Sequence, residues 1–240
     1  MKKLKKYLRK YLPKTLTFKL TQLVVSLYNL KYKHLTLRKN TTDGAVFRDI
    51  FLYGDLKIPS TIKPEIIIDA GAYVGYSTVY FSRNYPSATI IAVEPEQSNF
   101  KQLKAHTNHL PNVIRVNGGL WPVSSKLKIS DRGTGKWGFK VDEVTDGSNF
   151  DVQGYTVNEL LDMTDVKTNN VLVKIDIEGS EQEIFSRNTH IWLPKVQCVL
   201  IELHNRISPG CSEIVANAMP NNLWDKVNKG EKLFFTRRHA

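Results

Sequence analysis

Residues 1–40 alternate apolar and basic side chains with the spacing of a helix. Apolar side chains recur three and four positions apart, and lysine and arginine fill the positions between them. The apolar positions of the first helix are Leu4, Tyr7, Leu8, Tyr11 and Leu12. Pro13 ends this helix or opens the next one, and a second helical pattern extends over residues 16–28. The pattern predicts a basic, amphipathic helical segment over residues 1–42.

From residue 43 onward, short apolar strands alternate with amphipathic helices. After a helix around residues 46–52, apolar runs predict strands at residues 66–69, 89–93, 113–116, 171–176 and 196–202. Helical spacing predicts helices at residues 75–83, 96–109, 157–163 and 180–188. The strands are apolar throughout, which is typical of parallel sheets covered on both faces. We therefore predict one α/β domain over residues 43–240, built on a doubly wound, mostly parallel sheet.

Residues 118–154 interrupt this alternation. Leu127 and Ile129 indicate short strands, and residues 131–148 are rich in glycine and charge. We expect short strands and a loop here rather than another strand and helix. Such an insertion is a candidate lid or substrate-specific element.

The positive charge of the chain is concentrated at its N-terminus. The formal net charge is +11, yet residues 1–40 hold 12 lysines and arginines and no acid, so the remaining residues are close to neutral. An attraction to anionic partners is therefore expected from the N-terminal segment alone. Cys198 and Cys211 form no disulfide framework or metal spacing, which favours a cytoplasmic protein.

The first predicted strand runs into a glycine-containing turn that opens a helix. Glycine lets the backbone approach a ligand closely, at the strand end where such sheets bind ligands. The turn lacks the glycine order of a dinucleotide loop, because Tyr73 stands where the second glycine would be. Asp69 would repel a pyrophosphate but suits the sulfonium and ammonium of S-adenosylmethionine. Glu94 ends the second strand, where an acid can accept hydrogen bonds from both ribose hydroxyls.

The candidate cofactor-binding residues are Asp69, Gly71, Ala72, Tyr73, Gly75 and Glu94. The structural alternative is that the two turn glycines serve turn geometry and helix packing while Asp69 caps the helix.

The fourth predicted strand carries charged residues toward the same edge of the sheet. Lys174, Asp176 and Glu178 alternate, so in an extended chain they share one face. We expect Lys174 to pair with Asp176 or Glu178. Asp176 is a candidate for positioning the cofactor methyl group or the acceptor, and Glu178 and His204 are candidates for the base that takes the acceptor proton. The alternatives are that Glu178 only favours the positive end of the next helix and that His204 is a surface histidine.

The turn at residues 69–76, the strand end at residues 93–95 and the block at residues 174–181 together resemble the FkbM family of S-adenosylmethionine-dependent methyltransferases. The resemblance covers about residues 43–205. It implies a Rossmann-like class I methyltransferase fold and O-methylation, often of sugars or secondary metabolites. Tyr73 departs from the family, which usually has asparagine there.

The sequence lacks the motifs of two other enzyme classes. A nicotinamide enzyme would need the missing phosphate-binding glycines, and a nucleic-acid methyltransferase would need a base-flipping motif and a basic core. We expect no nucleic-acid partner, and no ligand spacing predicts a metal site, although a carboxylate pair can hold a divalent cation. A non-catalytic scaffold at a membrane surface is the alternative function. In either case residues 1–13 are candidates for peripheral attachment to an anionic membrane.

Overall fold

The computed structural model describes residues 19, 21–28, 34–131, 139–145 and 149–238. The predicted helix at residues 4–12, and most of the 131–148 stretch, lie outside the described residues. Residues 21–28 form a helix (α1) that packs on the domain through Val25 and Tyr28. Within the described residues, no helix combines the length and apolar character needed to cross a bilayer.

The remaining helices are short and follow the strands closely. Helix α2 (Asp43–Phe47) continues into a π-helical turn (Arg48–Leu52). The others are α3 (Tyr76–Asn84), α4 (Gln97–Thr107), α5 (Val157–Leu161), α6 (Glu181–Ser186), α7 (Thr189–Trp192), a 3-10 turn (Leu193–Lys195) and α8 (Cys211–Ala218).

In the described parts of the chain, ten strands form one sheet. They are β1 (Ile66–Ala70), β2 (Thr89–Glu94), β3 (Val113–Leu120), β4 (Ser125–Asp131), β5 (Phe139–Glu143), β6 (Val152–Tyr155), β7 (Val171–Ile175), β8 (Cys198–Glu202), β9 (Trp224–Lys229) and β10 (Lys232–Arg237). Their order is β5-β4-β6-β3-β2-β1-β7-β8-β10-β9. The six strands from β6 to β8 are parallel, and antiparallel pairs extend the sheet at both ends.

Two apolar cores cover the two faces of the sheet. Ile67 of β1 packs on one side with α1 to α4, and Ile66 and Ile68 pack on the other with α5 to α8. This alternation follows from the period of two in a strand. The predicted doubly wound α/β fold is confirmed. In place of a further strand and helix, residues 118–154 contribute the antiparallel strands β4 and β5 and the start of β6, which pairs parallel with β3.

The order of the strands reverses direction between β1 and β7. From β1 the chain adds β2 and β3 on one side, and it later adds β7 and β8 on the other. Loops leaving the carboxyl ends of β1 and β7 therefore turn to opposite faces and leave a crevice between them. The candidate site lies at this crevice.

Candidate active site

A cleft opens at the carboxyl ends of β1, β2, β3 and β7. Its lining combines glycine backbone, two aromatic rings and three carboxylates. The lining residues are Gly71, Tyr73, Val93, Glu94, Pro95, Gly118, Gly119, Leu120, Phe139, Val141, Asp176, Ile177 and Glu178. Five of the residues expected at the site line this cleft, namely Gly71, Tyr73, Glu94, Asp176 and Glu178. Asp69, Ala72, Gly75, Lys174 and His204 do not.

Gly71 begins the loop after β1 and lies against the loop after β7. Its φ of +73° is in the left-handed region, and a Cβ placed on it would collide with the carbonyl oxygen of Asp176. The N–H groups of Gly71 and Ala72 both donate to the carbonyl of Val93, at 3.1 and 3.0 Å. Gly75, with φ +89°, instead lets α3 approach Leu103, whose Cδ1 would lie 2.7 Å from an added Cβ. Gly71 therefore shapes the cleft, whereas Gly75 serves helix packing.

Asp69 and Lys174 form a buried ion pair beneath this loop. Lys174 Nζ lies 3.3 Å from Asp69 Oδ1 and donates to the carbonyls of Ala70 and Gly71, at 3.1 and 2.7 Å. The hydroxyls of Ser77 and Thr78 both donate to Asp69 Oδ2 at 2.7 Å. The expected pairing of Lys174 with Asp176 is present but long, at 4.0 Å, and the closer carboxylate is that of Asp69. The pair supports the loop from below and does not face the cleft.

Glu94 places a buried carboxylate at the opposite wall. Its Oε2 accepts the N–H of Tyr73 at 2.9 Å, and its Oε1 accepts the N–H of Glu96 at 3.0 Å and the amide of Asn99 at 3.3 Å. Burial raises the pKa of Glu94 to about 7, against the opposing effect of these donors. The carboxylate is oriented before any ligand binds.

Tyr73 connects the cleft to the segment before the domain's first strand. Its hydroxyl donates to Asp43 Oδ1 at 2.6 Å, and Asp43 is paired with Arg38 at 2.9 Å. Arg38 also donates to the side-chain oxygen of Asn99 at 3.0 Å. Because Asn99 donates to Glu94, a continuous chain of hydrogen bonds joins residues 38–43 to the carboxylate. Sequence reasoning missed Arg38, Asp43 and Asn99, since none stands beside a recognisable motif.

The chain turns sharply after β7. The strand ends at Ile175, and Glu178 has a φ of +57°, so the extended geometry expected as far as Glu178 does not hold. Asp176 and Glu178 reach the cleft through this turn, while Lys174 remains beneath it. Glu181 fixes the turn, because its carboxylate accepts the N–H groups of Ile177 at 3.2 Å and Gly179 at 3.0 Å.

His204 stands behind Glu178 and is held by Glu181. Its Nδ1 lies 2.8 Å from Glu181 Oε1, and since a carboxylate only accepts, Nδ1 carries the proton. Its Nε2 lies 3.6 Å from Glu178 Oε2. Burial opposes the charged imidazolium, but Glu181 and Glu178 outweigh it and raise the pKa of His204 to about 9. Burial and the negative charge of Asp176 raise the pKa of Glu178 to about 7.

Lys232 joins the cluster from β10. Its ammonium lies 2.7 Å from Asp176 Oδ2 and 2.5 Å from Glu202 Oε2. Burial would raise the pKa of Asp176, but Lys232 and Lys174 outweigh it and hold that pKa well below its usual range. Sequence reasoning missed both Lys232 and Glu202. Glu202 ends the fifth predicted strand and had a positional signal, whereas nothing local distinguishes Lys232 among the 34 basic residues.

One group of possible metal ligands occurs among the described residues. Single ligand atoms of Asp176, Glu202 and His204 all lie within 4.8 Å of one another. Two of these three residues are the partners of Lys232.

Comparison with known proteins identifies the family. Residues 69–225 match the model of the methyltransferase FkbM domain. A methyltransferase FkbM from Methylobacillus flagellatus KT aligns over 79% of this chain and 47% of its own, with 12% identity and a TM-score of 0.49. A methyltransferase from Geobacter sulfurreducens aligns over 100% of this chain and 98% of its own, with 12% identity and a TM-score of 0.43.

The chain thus spans about half the length of the Methylobacillus protein. A comparison with curated protein sequences finds no match. The domain match extends over well over half of the 240 residues and includes the glycine loop, Glu94 and the loop after β7. The chain therefore belongs to the FkbM methyltransferase family.

Proposed function

We propose that this methyltransferase transfers the methyl group of S-adenosylmethionine to a hydroxyl group of a sugar, glycan or other small metabolite. The observation that carries the proposal is the placement of Glu178. Its carboxylate lines the same cleft as the glycine loop and Glu94, and its pKa is about 7. A base with a pKa near neutrality accepts the proton of a hydroxyl most effectively at neutral pH.

The hydrogen-bond acceptors and charges of the cleft fit S-adenosylmethionine. Glu94 offers an oriented carboxylate to a ribose, and Gly71, Gly118 and Gly119 line the cleft without side chains. Asp176 remains ionised beside them, which favours a ligand with positive charge. When bound, this cofactor supplies an electrophilic methyl group on a sulfonium.

The remaining residues act on the acceptor. Glu178 takes the proton from the acceptor hydroxyl, which raises the nucleophilicity of its oxygen. His204, fixed by Glu181 at 2.8 Å, places its positive charge 3.6 Å from Glu178 and favours the ionised form. Phe139 and Val141 provide an apolar wall that helps orient the acceptor.

Binding of S-adenosylhomocysteine tests the cofactor half of the proposal. The product should raise the melting temperature of the protein, because a ligand that binds only the folded state stabilises it. Glu94→Gln should weaken binding by about tenfold or more, since hydrogen bonds to a charged group are worth roughly 1.5–3 kcal/mol. Calorimetric titration measures the dissociation constants of S-adenosylhomocysteine for the unmodified protein and for Glu94→Gln. Gly71→Val is unsuitable here, because its side chain would collide with the backbone at Asp176.

The matched control is Glu65→Gln, which removes an exposed carboxylate at the far end of β1. It should bind as the unmodified protein does. A folded protein that gives no thermal shift would favour the non-catalytic scaffold. Equal affinities of Glu94→Gln and Glu65→Gln for S-adenosylhomocysteine would show that Glu94 does not contact the cofactor.

A further inference from the structure

The ammonium of Lys232 contacts two members of a group of possible metal ligands. It contacts one oxygen of Asp176 at 2.7 Å and one of Glu202 at 2.5 Å, and its side chain is only 11% exposed. Asp176, Glu202 and His204 are residue types that bind divalent metals, and their ligand atoms lie within 4.8 Å of one another. The lysine thus contacts two of the three groups that a metal ion would need.

The two carboxylates require a cation to remain together. Asp176 follows the last residue of β7 and Glu202 ends the neighbouring β8, so the fold itself places both negative charges at one rim. In a partly buried site, two carboxylates without a counter-ion repel each other, and one of them takes up a proton. His204 supplies its charge mainly to Glu181 and Glu178, since its Nε2 is 3.9 Å from Glu202. Lys174 lies 4.0 Å from Asp176 and is closer to Asp69, at 3.3 Å, so Lys232 is the described cation that contacts both carboxylates of the pair.

The cation comes from an element outside the matched domain. The family match ends at residue 225, whereas β10 spans Lys232–Arg237 and pairs antiparallel with β8. In that pairing Lys232 lies opposite Glu202, which fixes the ammonium by backbone register. A cation held in this way has a constant position and needs no supply from solution.

We propose that Lys232 is a positioning residue that serves as a built-in cation of the transfer site, holding Asp176 toward the cleft in the place where a divalent metal ion would otherwise bind. The inference rests on the proposed function only in assigning Asp176 to the bound cofactor. The occupancy of the cation position is a property of the protein alone, and it is measured without cofactor or acceptor.

Binding of Mn²⁺ to the full-length protein, followed by electron paramagnetic resonance, tests this inference. The unmodified protein should take up no Mn²⁺ at this cluster. Lys232→Ala removes the ammonium and opens space between the ligands. This variant should bind one Mn²⁺ at least about tenfold more tightly than the Lys226→Ala control does. The additional change Glu202→Gln should abolish the new site. Lys226→Ala is the matched control, because it removes the same charge from an exposed position on β9.

A second measurement distinguishes positioning from packing. Lys232→Ala should bind S-adenosylhomocysteine more weakly than the unmodified protein does, and added Mn²⁺ should restore that affinity. Added Mn²⁺ should not change the affinity of the Lys226→Ala protein for S-adenosylhomocysteine. Lys232→Gln keeps a polar side chain of similar reach and serves if the alanine variant does not fold. It should show the same loss of affinity.

Two results would overturn the inference. The first is stoichiometric Mn²⁺ binding by the unmodified protein that Glu202→Gln removes, which would make the cluster a metal site with a displaceable lysine. The second is Mn²⁺ binding by both Lys232 variants that is no tighter than that of the Lys226 control. Neither result depends on methyl transfer, so failure of this inference would leave the proposed function untouched, and the reverse also holds.

Discussion

At the scale of single residues, Glu178 has a carboxyl group that ionises near neutral pH. Its pKa of about 7 is raised by burial and by the charge of Asp176. Only the ionised form accepts a proton, so turnover should rise with pH and level off above about 7. Glu178→Gln should lower turnover by on the order of 100-fold and still bind S-adenosylhomocysteine. Product formation across a panel of hydroxylated acceptors and a pH series measures both effects.

Glu183→Gln, in the exposed part of α6, is the control for this change and should keep the full pH profile. A Glu178→Gln protein with an unchanged acidic limb would show that another group is the base.

Gly71 is required by a close approach of two backbones. Alanine there combines a left-handed φ of +73° with a collision against the carbonyl oxygen of Asp176. Gly54 has a similar φ of +69° but nothing within 4 Å of an added Cβ. Gly71→Ala should therefore lower the free energy of unfolding by more than about 3 kcal/mol, against roughly 1–2 kcal/mol for Gly54→Ala. Urea denaturation of the two variants makes the comparison, and equal losses would contradict the steric argument.

The residues that local sequence predicts are those whose role depends on their own turn or strand end. Gly71 and Glu94 were found because each follows an apolar strand at a defined position. Lys232 and Glu181 were not, because their roles depend on partners brought together by the fold. Lys232 meets Asp176 across 56 residues of sequence, and no local pattern records such a contact.

At the scale of elements, residues 38–43 support the wall of the cleft that Tyr73 and Glu94 form. Asp43 is fully buried and binds Arg38 and the hydroxyl of Tyr73. Asp43→Asn leaves Arg38 without its counter-charge and should lower the free energy of unfolding by about 2–4 kcal/mol. It should also weaken S-adenosylhomocysteine binding. Arg38 positions the Asn99 amide that donates to Glu94, and the hydroxyl bond to Asp43 positions Tyr73, whose backbone N–H also donates to Glu94.

Asp162→Asn is the comparison, since Asp162 pairs with Lys167 at 4.0 Å and both side chains are 77% exposed. Exposed pairs contribute about 0–1 kcal/mol. Chemical denaturation and calorimetric titration of both variants measure the difference. An Asp43→Asn protein as stable as Asp162→Asn would show that residues 38–43 do not support the wall.

Elements were predictable where both sheet faces are buried. Strands β1, β2 and β7 consist mostly of buried aliphatic residues and were recognised to within a residue or so. Strand β9 was not, because at the sheet edge only Trp224 is buried, and the following residues are polar apart from the exposed Val227. An edge strand needs one apolar face at most, so β9 carries no pattern that separates it from a loop.

At the scale of the whole molecule, charge is distributed unevenly between the N-terminal segment and the domain. Residues 1–40 carry 12 basic residues and no acid. We propose that this segment attaches the enzyme to an anionic membrane surface. Leu23 and Leu27 add apolar surface nearby, at 60% and 59% exposure. Each basic residue near anionic lipid contributes about 1 kcal/mol, and salt weakens this attraction.

Vesicle sedimentation tests this attachment. The full-length protein should sediment with anionic but not with neutral vesicles, and less at high salt. Deleting residues 1–13 should abolish sedimentation and leave S-adenosylhomocysteine binding intact. Equal sedimentation of the deleted protein would rule out these residues as the anchor, and unfolding on deletion would assign them to the domain core.

The pairing of β1 with β7 has a consequence for the order in which the protein folds. These neighbours lie far apart in the chain, and the contact of Lys174 with Ala70 spans 104 residues. Closing so long a loop is slow, so this pair forms late relative to local turns and helices. The two cleft loops meet only when it forms, at Gly71 and Asp176. The approach of Gly71 to Asp176 is therefore absent until β7 has paired with β1, and a partly folded chain that lacks this pair does not present the proposed cofactor site.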